Sequence, residues 1–134
     1  MGYKQINNPC DLIVFKKGTL NLFECKAIHG NTLNFKSHIR ENQWKDLLKY
    51  SKIPGINAGI ICWFIDFDKT LFIPIQSLQI LKEENFKSFN CNNSNSKLYK
   101  DLGVESFEIK SFKKRVFFEY NLEEFLEEIS YEEI

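Results

Sequence analysis

Two β-prone runs near the start of the chain are joined by a Lys-Gly dipeptide. Residues 11–16 (DLIVFK) and 19–26 (TLNLFECK) are rich in β-branched and aromatic side chains, and Lys17-Gly18 lies between them. This pattern predicts a β-hairpin with a two-residue turn. In the register that such a turn sets, Asp11 lies directly opposite Glu24 on the neighbouring strand.

Helix and strand patterns follow in the middle of the chain. Ser37 is a candidate N-cap for a helix over roughly 38–52, which ends before Pro54-Gly55. The predicted buried stripe of this helix consists of Ile39, Gln43, Trp44, Leu47 and Leu48. Residues 58–66 (AGIICWFID) are almost wholly apolar, which predicts a central strand buried on both faces. A turn at Asp68-Lys69 then predicts a second hairpin.

Further elements complete the predicted architecture. Ser77 could cap a short helix over 78–84, and residues 107–112 alternate as a half-buried strand does. A capping box formed by Asn121 and Glu124 predicts the start of an acidic helical tail over 121–134. The order of the elements predicts an α/β fold, with a mixed β-sheet flanked by helices. That order is two strands, a helix, two strands and a helix. Without a linker or an internal repeat, we expect residues 1–134 to form one domain.

The composition bears on where in the cell the protein is expected to be. There is no run of 18 apolar residues and no signal-peptide pattern, so we expect a soluble, cytoplasmic protein with no membrane partner. The four cysteines lack the spacing of a zinc site and are interpreted as free thiols.

The charge distribution changes what the zero net charge implies. Six of the 18 acidic residues lie in the last twelve positions, so residues 1–122 carry 18 basic and 12 acidic groups. A mildly basic body of this kind can bind a phosphate backbone locally. Lys113, Lys114 and Arg115 form the densest basic cluster. The simpler interpretation is that the lysines maintain solubility and that the triplet is a solvated turn.

The predicted hairpin places two carboxylates and an amine together. Asp11 faces Glu24, and Lys26 emerges on the same face two residues further along. Opposed like charges repel, and a divalent cation between them would remove the repulsion. The alternative is a solvent-facing strand edge with no chemical role. Gln43 lies on an apolar helix face, where it either makes a structural hydrogen bond or contacts a catalytic water or phosphate.

Together these residues resemble the PD-(D/E)XK nuclease fold, and most closely the RecU type of Holliday-junction resolvase. The resemblance rests on Cys10-Asp11, on Phe23-Glu24-Cys25-Lys26, on Gln43 seventeen residues after Lys26, and on the strand through Leu71-Phe72-Ile73. It extends more loosely over 97–129. The chain departs from the family in lacking an N-terminal acidic helix and an evident stalk, and in having Cys10 where Thr is usual.

The resemblance implies a metal-dependent endonuclease that resolves Holliday junctions in recombination and repair. Asp11, Glu24, Lys26 and Gln43 would be catalytic, and Asp11, Glu24 and the backbone carbonyl of Cys25 would bind Mg²⁺ or Mn²⁺. The expected partners are branched or duplex DNA and a second copy in a homodimer. The residues expected to contact DNA are Lys16, Lys17, Lys36, Arg40, Lys113, Lys114 and Arg115.

Two alternatives remain open at this point. The chain could be a shortened relative that binds branched DNA or a protein partner without cutting, which the missing acidic helix favours. It could also be a restriction-like or repair nuclease with another substrate, because fold does not fix substrate.

Overall fold

A computed structural model describes residues 12–110. Strand β1 (Leu12–Lys16) and strand β2 (Thr19–Ile28) form an antiparallel hairpin in the predicted register, with Leu12 opposite Phe23 at its open end. The turn residues Lys17 and Gly18 both have positive φ, at 51° and 78°. That combination is what a two-residue turn of type I′ requires. The predicted hairpin is confirmed over the described residues.

The main sheet is mixed and has five described strands, in the order β1, β2, β4 (Ile56–Phe64), β5 (Lys69–Pro74) and β7 (Phe107–Glu108). Strand β2 runs parallel to β4, and β4 pairs antiparallel with β5. The short strand β7 completes the sheet beside β5. The predicted α/β class and the position of residues 58–64 in a central strand are therefore confirmed.

Between residues 12 and 110, a second, two-stranded ladder and four helices accompany the sheet. The ladder pairs β3 (Thr32–Asn34) with β6 (Ser88–Asn90). The helices are α1 (Phe35–His38), α2 (Glu41–Ser51), α3 (Ile75–Glu83) and α4 (Lys97–Leu102), and short 3₁₀ turns cover Ile65–Phe67 and Cys91–Asn93. None of the helices between residues 12 and 110 is long and apolar enough to cross a bilayer.

Two predicted helix starts are wrong. The predicted helix over 38–52 is two helices, because Ile39 is extended (φ −123°, ψ 121°) and separates α1 from α2. Asn34 caps α1 by accepting from the backbone N–H groups of Lys36 and Ser37, so Ser37 is not the cap. Helix α3 begins before Ser77, whose hydroxyl instead accepts from the backbone N–H of Glu105.

The sheet carries buried side chains on both faces, and their alternation along the strands divides the core into two clusters. Helices α2 and α3 pack on the face that carries Leu22, Ile60 and Ile73, while Phe23 and Ile61 belong to a smaller cluster on the other face. Because side chains alternate along a strand, Glu24 and Lys26 share the Leu22 face, beneath α2.

Several predictions fall outside the described residues. Asp11, the basic triplet 113–115 and the acidic tail 121–134 are among them. Strand β7 accounts for Phe107 and Glu108 of the predicted strand over 107–112.

Candidate functional site

Three of the four predicted catalytic residues lie in contact. The Nε2 atom of Gln43 donates to Oε1 of Glu24 at 2.7 Å, and the ammonium of Lys26 lies 3.4 Å from the same carboxylate oxygen. The Lys26 ammonium also lies 3.4 Å from Oε1 of Gln43. Strand β2 supplies the carboxylate and the ammonium, and α2 supplies the amide. We call Glu24, Lys26 and Gln43 the β2–α2 cluster.

The cluster is largely shielded from water. The side chain of Glu24 is 5% exposed, and that of Lys26 is 19% exposed. A carboxylate at this depth requires a counter-charge and hydrogen-bond donors, because the low-dielectric interior disfavours an unpaired charge. Among the described residues, every buried side-chain nitrogen and oxygen has a hydrogen-bond partner. Lys26 is the more exposed member of the ion pair.

The start of α2 fixes the orientation of the amide. Gln43 is the third residue of that helix, and its Oε1 accepts from the backbone N–H of Arg40 at 3.3 Å. This is the side-chain half of a capping box, which ties the amide to the helix terminus. With Oε1 facing two donors, Nε2 is directed at Glu24. Gln43 thus makes structural contacts, one of the two alternatives that the sequence left open, and these contacts are to the predicted catalytic residues Glu24 and Lys26.

The donor chemistry at Glu24 suits a hard divalent cation. Carboxylate and backbone carbonyl oxygens are the ligands of Mg²⁺, and a hydrogen-bonded neighbour such as Gln43 holds such a carboxylate in place. Asp11, the second predicted carboxylate, lies outside the described residues. Within residues 12–110, no three His, Cys, Asp or Glu side chains form a group that could hold a metal. Of the predicted metal ligands, the structure describes Glu24 and Cys25.

Four of the residues predicted to contact DNA are described, and they lie in different parts of the fold, whereas Lys113, Lys114 and Arg115 lie outside the described residues. Lys16 and Lys17 lie at the hairpin turn, and the strand from Thr19 to Lys26 spans about 23 Å. Arg40 lies beside Gln43, and Lys36 lies in α1. The structure thus places Arg40 near the cluster and the turn lysines at the far end of β2.

Sequence reasoning missed a polar contact at the C-terminal ends of β2 and β4. Nδ1 of His29 lies 3.0 Å from Oδ1 of Asp66, and the backbone N–H of Gly30 donates to Oδ2 at 2.7 Å. These two contacts, the His29 one first, lower the pKa of the exposed Asp66 carboxyl from its usual value. The residues meet because β2 and β4 are parallel, a pairing between distant segments that no local pattern shows.

The described cysteines are free thiols, as predicted. Cys62 lies in β4 on the face that carries Lys26, and burial raises the pKa of its thiol to about 12. It is therefore a neutral packing residue at physiological pH.

Comparison with known proteins adds no family to this picture. The chain matches no protein-family model, and no curated protein matches it significantly.

Proposed function

We propose that the chain is a metal-dependent DNA endonuclease with a PD-(D/E)XK core, of the RecU-like type that resolves Holliday junctions. The observation that carries this proposal is the β2–α2 cluster. An acid and a lysine spaced Glu-x-Lys lie on one face of a strand, 3.4 Å apart, with the predicted glutamine bound to both. A grouping of this kind on a hairpin strand that leads into a crossover helix is the arrangement that the resemblance requires.

Each residue of the cluster has a separate part in the proposed reaction. Asp11, Glu24 and the carbonyl of Cys25 would hold Mg²⁺ or Mn²⁺, which supplies Lewis-acid activation of water and neutralises phosphate charge. The Lys26 ammonium stabilises the negative charge that develops on the scissile phosphate. Gln43 holds the Glu24 carboxylate in one orientation, so this residue needs no rearrangement during the reaction.

DNA contact in this proposal requires only phosphate binding. Arg40 lies beside the cluster, where its positive charge would favour a nearby phosphate, and backbone contacts position an enzyme without reading sequence. Lys16 and Lys17 lie at the hairpin turn, at the far end of β2, and together with Lys36 in α1 would contact other parts of a branched substrate.

A homodimer would present two sites to paired strands. Strand β1 is the outermost of the described strands on its side of the sheet, and it exposes Ile13 and Phe15 by 59% and 71%. Exposed apolar side chains on an outer strand favour association with a second chain. Replacing Phe15 with Lys should convert a dimer into a monomer in light scattering, and a wild-type monomer would contradict paired cutting.

One observation favours the non-cutting alternative. The polar groups of the cluster satisfy one another, with Glu24 Oε1 accepting from both Gln43 and Lys26. A closed network of this kind also serves as a structural element beneath α2. The experiment must therefore separate cutting from binding.

The test is cleavage of a four-way junction, a linear duplex and a single strand in Mg²⁺, Mn²⁺ or EDTA. Wild type should cut the junction only with metal, and Lys26→Met and Asp11→Asn should each lower the rate by about a hundredfold or more. Lys100→Met, an exposed α4 substitution, is the matched control, and circular dichroism confirms that each variant is folded. Tight, metal-independent junction binding without product would replace the nuclease with the binding module. Cutting of linear duplex at the same rate would indicate another substrate.

A further inference from the structure

A cleft of about 740 Å³ lies beside the first turns of α2. It is bordered by α1, by the end of α3 and by the segment 85–87. Gln43 belongs to the β2–α2 cluster, whereas the next residue, Trp44, lines the cleft. Because consecutive helical residues point about 100° apart, the cluster and the cleft lie on adjacent sides of the same helical turn. A substrate held at the cluster would therefore have the cleft beside it.

The floor of the cleft is closed, and its rim is open. The apolar residues Phe35, Ile39 and Trp44 are buried, at 8%, 4% and 5% exposure. The ring of Phe35 packs edge to face on that of Trp44, and the indole N–H donates to Oε1 of Gln79 at 2.7 Å, so internal packing already uses this floor. The exposed side chains that line the cleft are all polar or charged. A ligand would therefore meet the rim and not the aromatic rings.

The rim of the cleft is cationic. Four exposed lysines line the cleft against a single acidic residue, Glu41. The Glu41 carboxylate pairs with Lys45 at 3.4 Å, whereas Lys36, Lys82 and Lys87 form no ion pair with any described residue. The cleft thus keeps three positive charges that no described carboxylate neutralises.

The fold holds these three lysines around one opening. The backbone N–H of Phe35 donates to the carbonyl of Lys87 at 3.0 Å, which ties the segment of Lys87 to the helix that carries Lys36. On the other side, the Lys82 ammonium lies 4.9 Å from the centroid of the Trp44 ring, a favourable position for a cation over an aromatic face. The positive charges are therefore placed by the secondary structure of three separate segments.

From this charge and this placement we infer that the cleft binds the phosphate backbone of one arm of the DNA substrate, with Lys82 and Lys87 as phosphate contacts that extend the one expected at Lys36. The inference rests on the proposed function, because it concerns how the substrate of that site is held. Phosphate contacts need exposed cations and no open apolar pocket, which is what the rim offers. A protein partner would need an accessible aromatic or aliphatic anchor, and the closed floor provides none. Glu83 and Glu84, which follow Lys82 in the chain, do not line the cleft.

The binding test measures the fluorescence anisotropy of a labelled four-way junction in EDTA, so that neither metal nor cutting is needed. Lys82→Gln/Lys87→Gln should weaken binding by about tenfold and reduce the slope of log affinity against log salt by about 2, because each phosphate contact contributes about 0.9. Lys82→Arg/Lys87→Arg keeps both charges and should bind within about threefold of wild type. Lys97→Gln/Lys100→Gln removes the same charge from exposed positions on α4 outside the cleft and should change binding by less than about twofold. Circular dichroism checks that each variant is folded.

A second experiment locates the contact on the DNA. Each phosphate of one junction arm is replaced in turn with an uncharged methylphosphonate. Where a phosphate contacts the cleft, the replacement should weaken wild-type binding by about threefold or more and have little further effect on Lys82→Gln/Lys87→Gln, because non-additive effects mark groups in contact. Additive effects at every position, equal binding of the two Gln double variants, or an Arg variant as weak as the Gln variant would overturn the inference.

These outcomes are distinct from those of the cutting assay. If wild type cuts the junction with metal and the two Gln double variants bind alike, the inference about the cleft fails and the nuclease stands. If wild type binds through Lys82 and Lys87 yet cuts with no metal, the inference stands and the proposed cutting fails. A wild type that binds no DNA would overturn both.

Discussion

Replacing Lys26 with Met tests whether the β2–α2 cluster is held together by a shielded ion pair. At 3.4 Å, two unit charges attract by ~5 kcal/mol when the effective dielectric constant is ~20. The desolvation of both groups offsets part of this attraction. Removing the Lys26 ammonium, however, leaves the Glu24 carboxylate buried without a counter-charge. We therefore expect Lys26→Met to lower the free energy of unfolding by about 3 kcal/mol, the lower end of the range for broken buried pairs. Urea unfolding followed by circular dichroism in EDTA measures this loss.

The chain contains a matched control for this measurement. Lys45 and Glu41 are also 3.4 Å apart, but their side chains are 71% and 78% exposed. Lys45→Met should cost no more than about 0.5 kcal/mol, because water screens the pair. The double variant Glu24→Gln/Lys26→Met removes both charges and should recover most of the loss. Equal effects of Lys26→Met and Lys45→Met, or a stabilising Lys26→Met, would refute the argument from burial.

Three further predictions concern other parts of the structure. A Cβ atom at Gly59 would clash with the backbone carbonyl oxygen of Ile73, so Gly59→Ala should lower stability by about 3 kcal/mol. An unchanged melting temperature would contradict this contact. Nuclear magnetic resonance titration should place the pKa of Asp66 below its ordinary value and should show it rising in His29→Ala, and an unchanged Asp66 titration in that variant would exclude the contact. The stabilising contribution of this carboxylate is complete above its unfolded-state pKa and is lost as pH falls through the depressed pKa. Cys62 should resist alkylation in the folded protein at pH 8 and react once urea unfolds it, as peptide mass spectrometry can establish, whereas fast reaction in the native state would contradict its burial.

The sequence predicted best those features that depend on neighbouring residues. The Lys17-Gly18 turn sets the hairpin register, because a two-residue turn with positive φ at both positions allows only one pairing. The apolar run in β4 also identified a central strand, because a strand with almost no polar side chains must be buried on both faces. Once the hairpin made residues 19–26 a strand, the alternation of side chains placed Glu24 and Lys26 on the same face.

Features that depend on competing or distant partners were predicted less well. Asn34 and Ser37 are both good caps, and the Asn34 side chain reaches two backbone N–H groups, so α1 starts earlier than Ser37 indicated. The extended backbone of Ile39 that separates α1 from α2 has no local signal. The β3–β6 ladder and the His29–Asp66 contact join segments more than 30 residues apart, and only the folded chain brings them together.

The parallel pairing of β2 with β4 has a consequence for how the protein matures. Each pair in this ladder joins residues 36 positions apart, and the crossover between the two strands contains Gln43. A nascent chain that has made only the hairpin possesses Glu24 and Lys26 but not the helix that positions them. Because closing the loop between such distant segments costs more entropy than forming the hairpin turn, we expect the β2–α2 cluster to assemble after the hairpin. The nuclease activity that we propose would then require the completed tertiary structure.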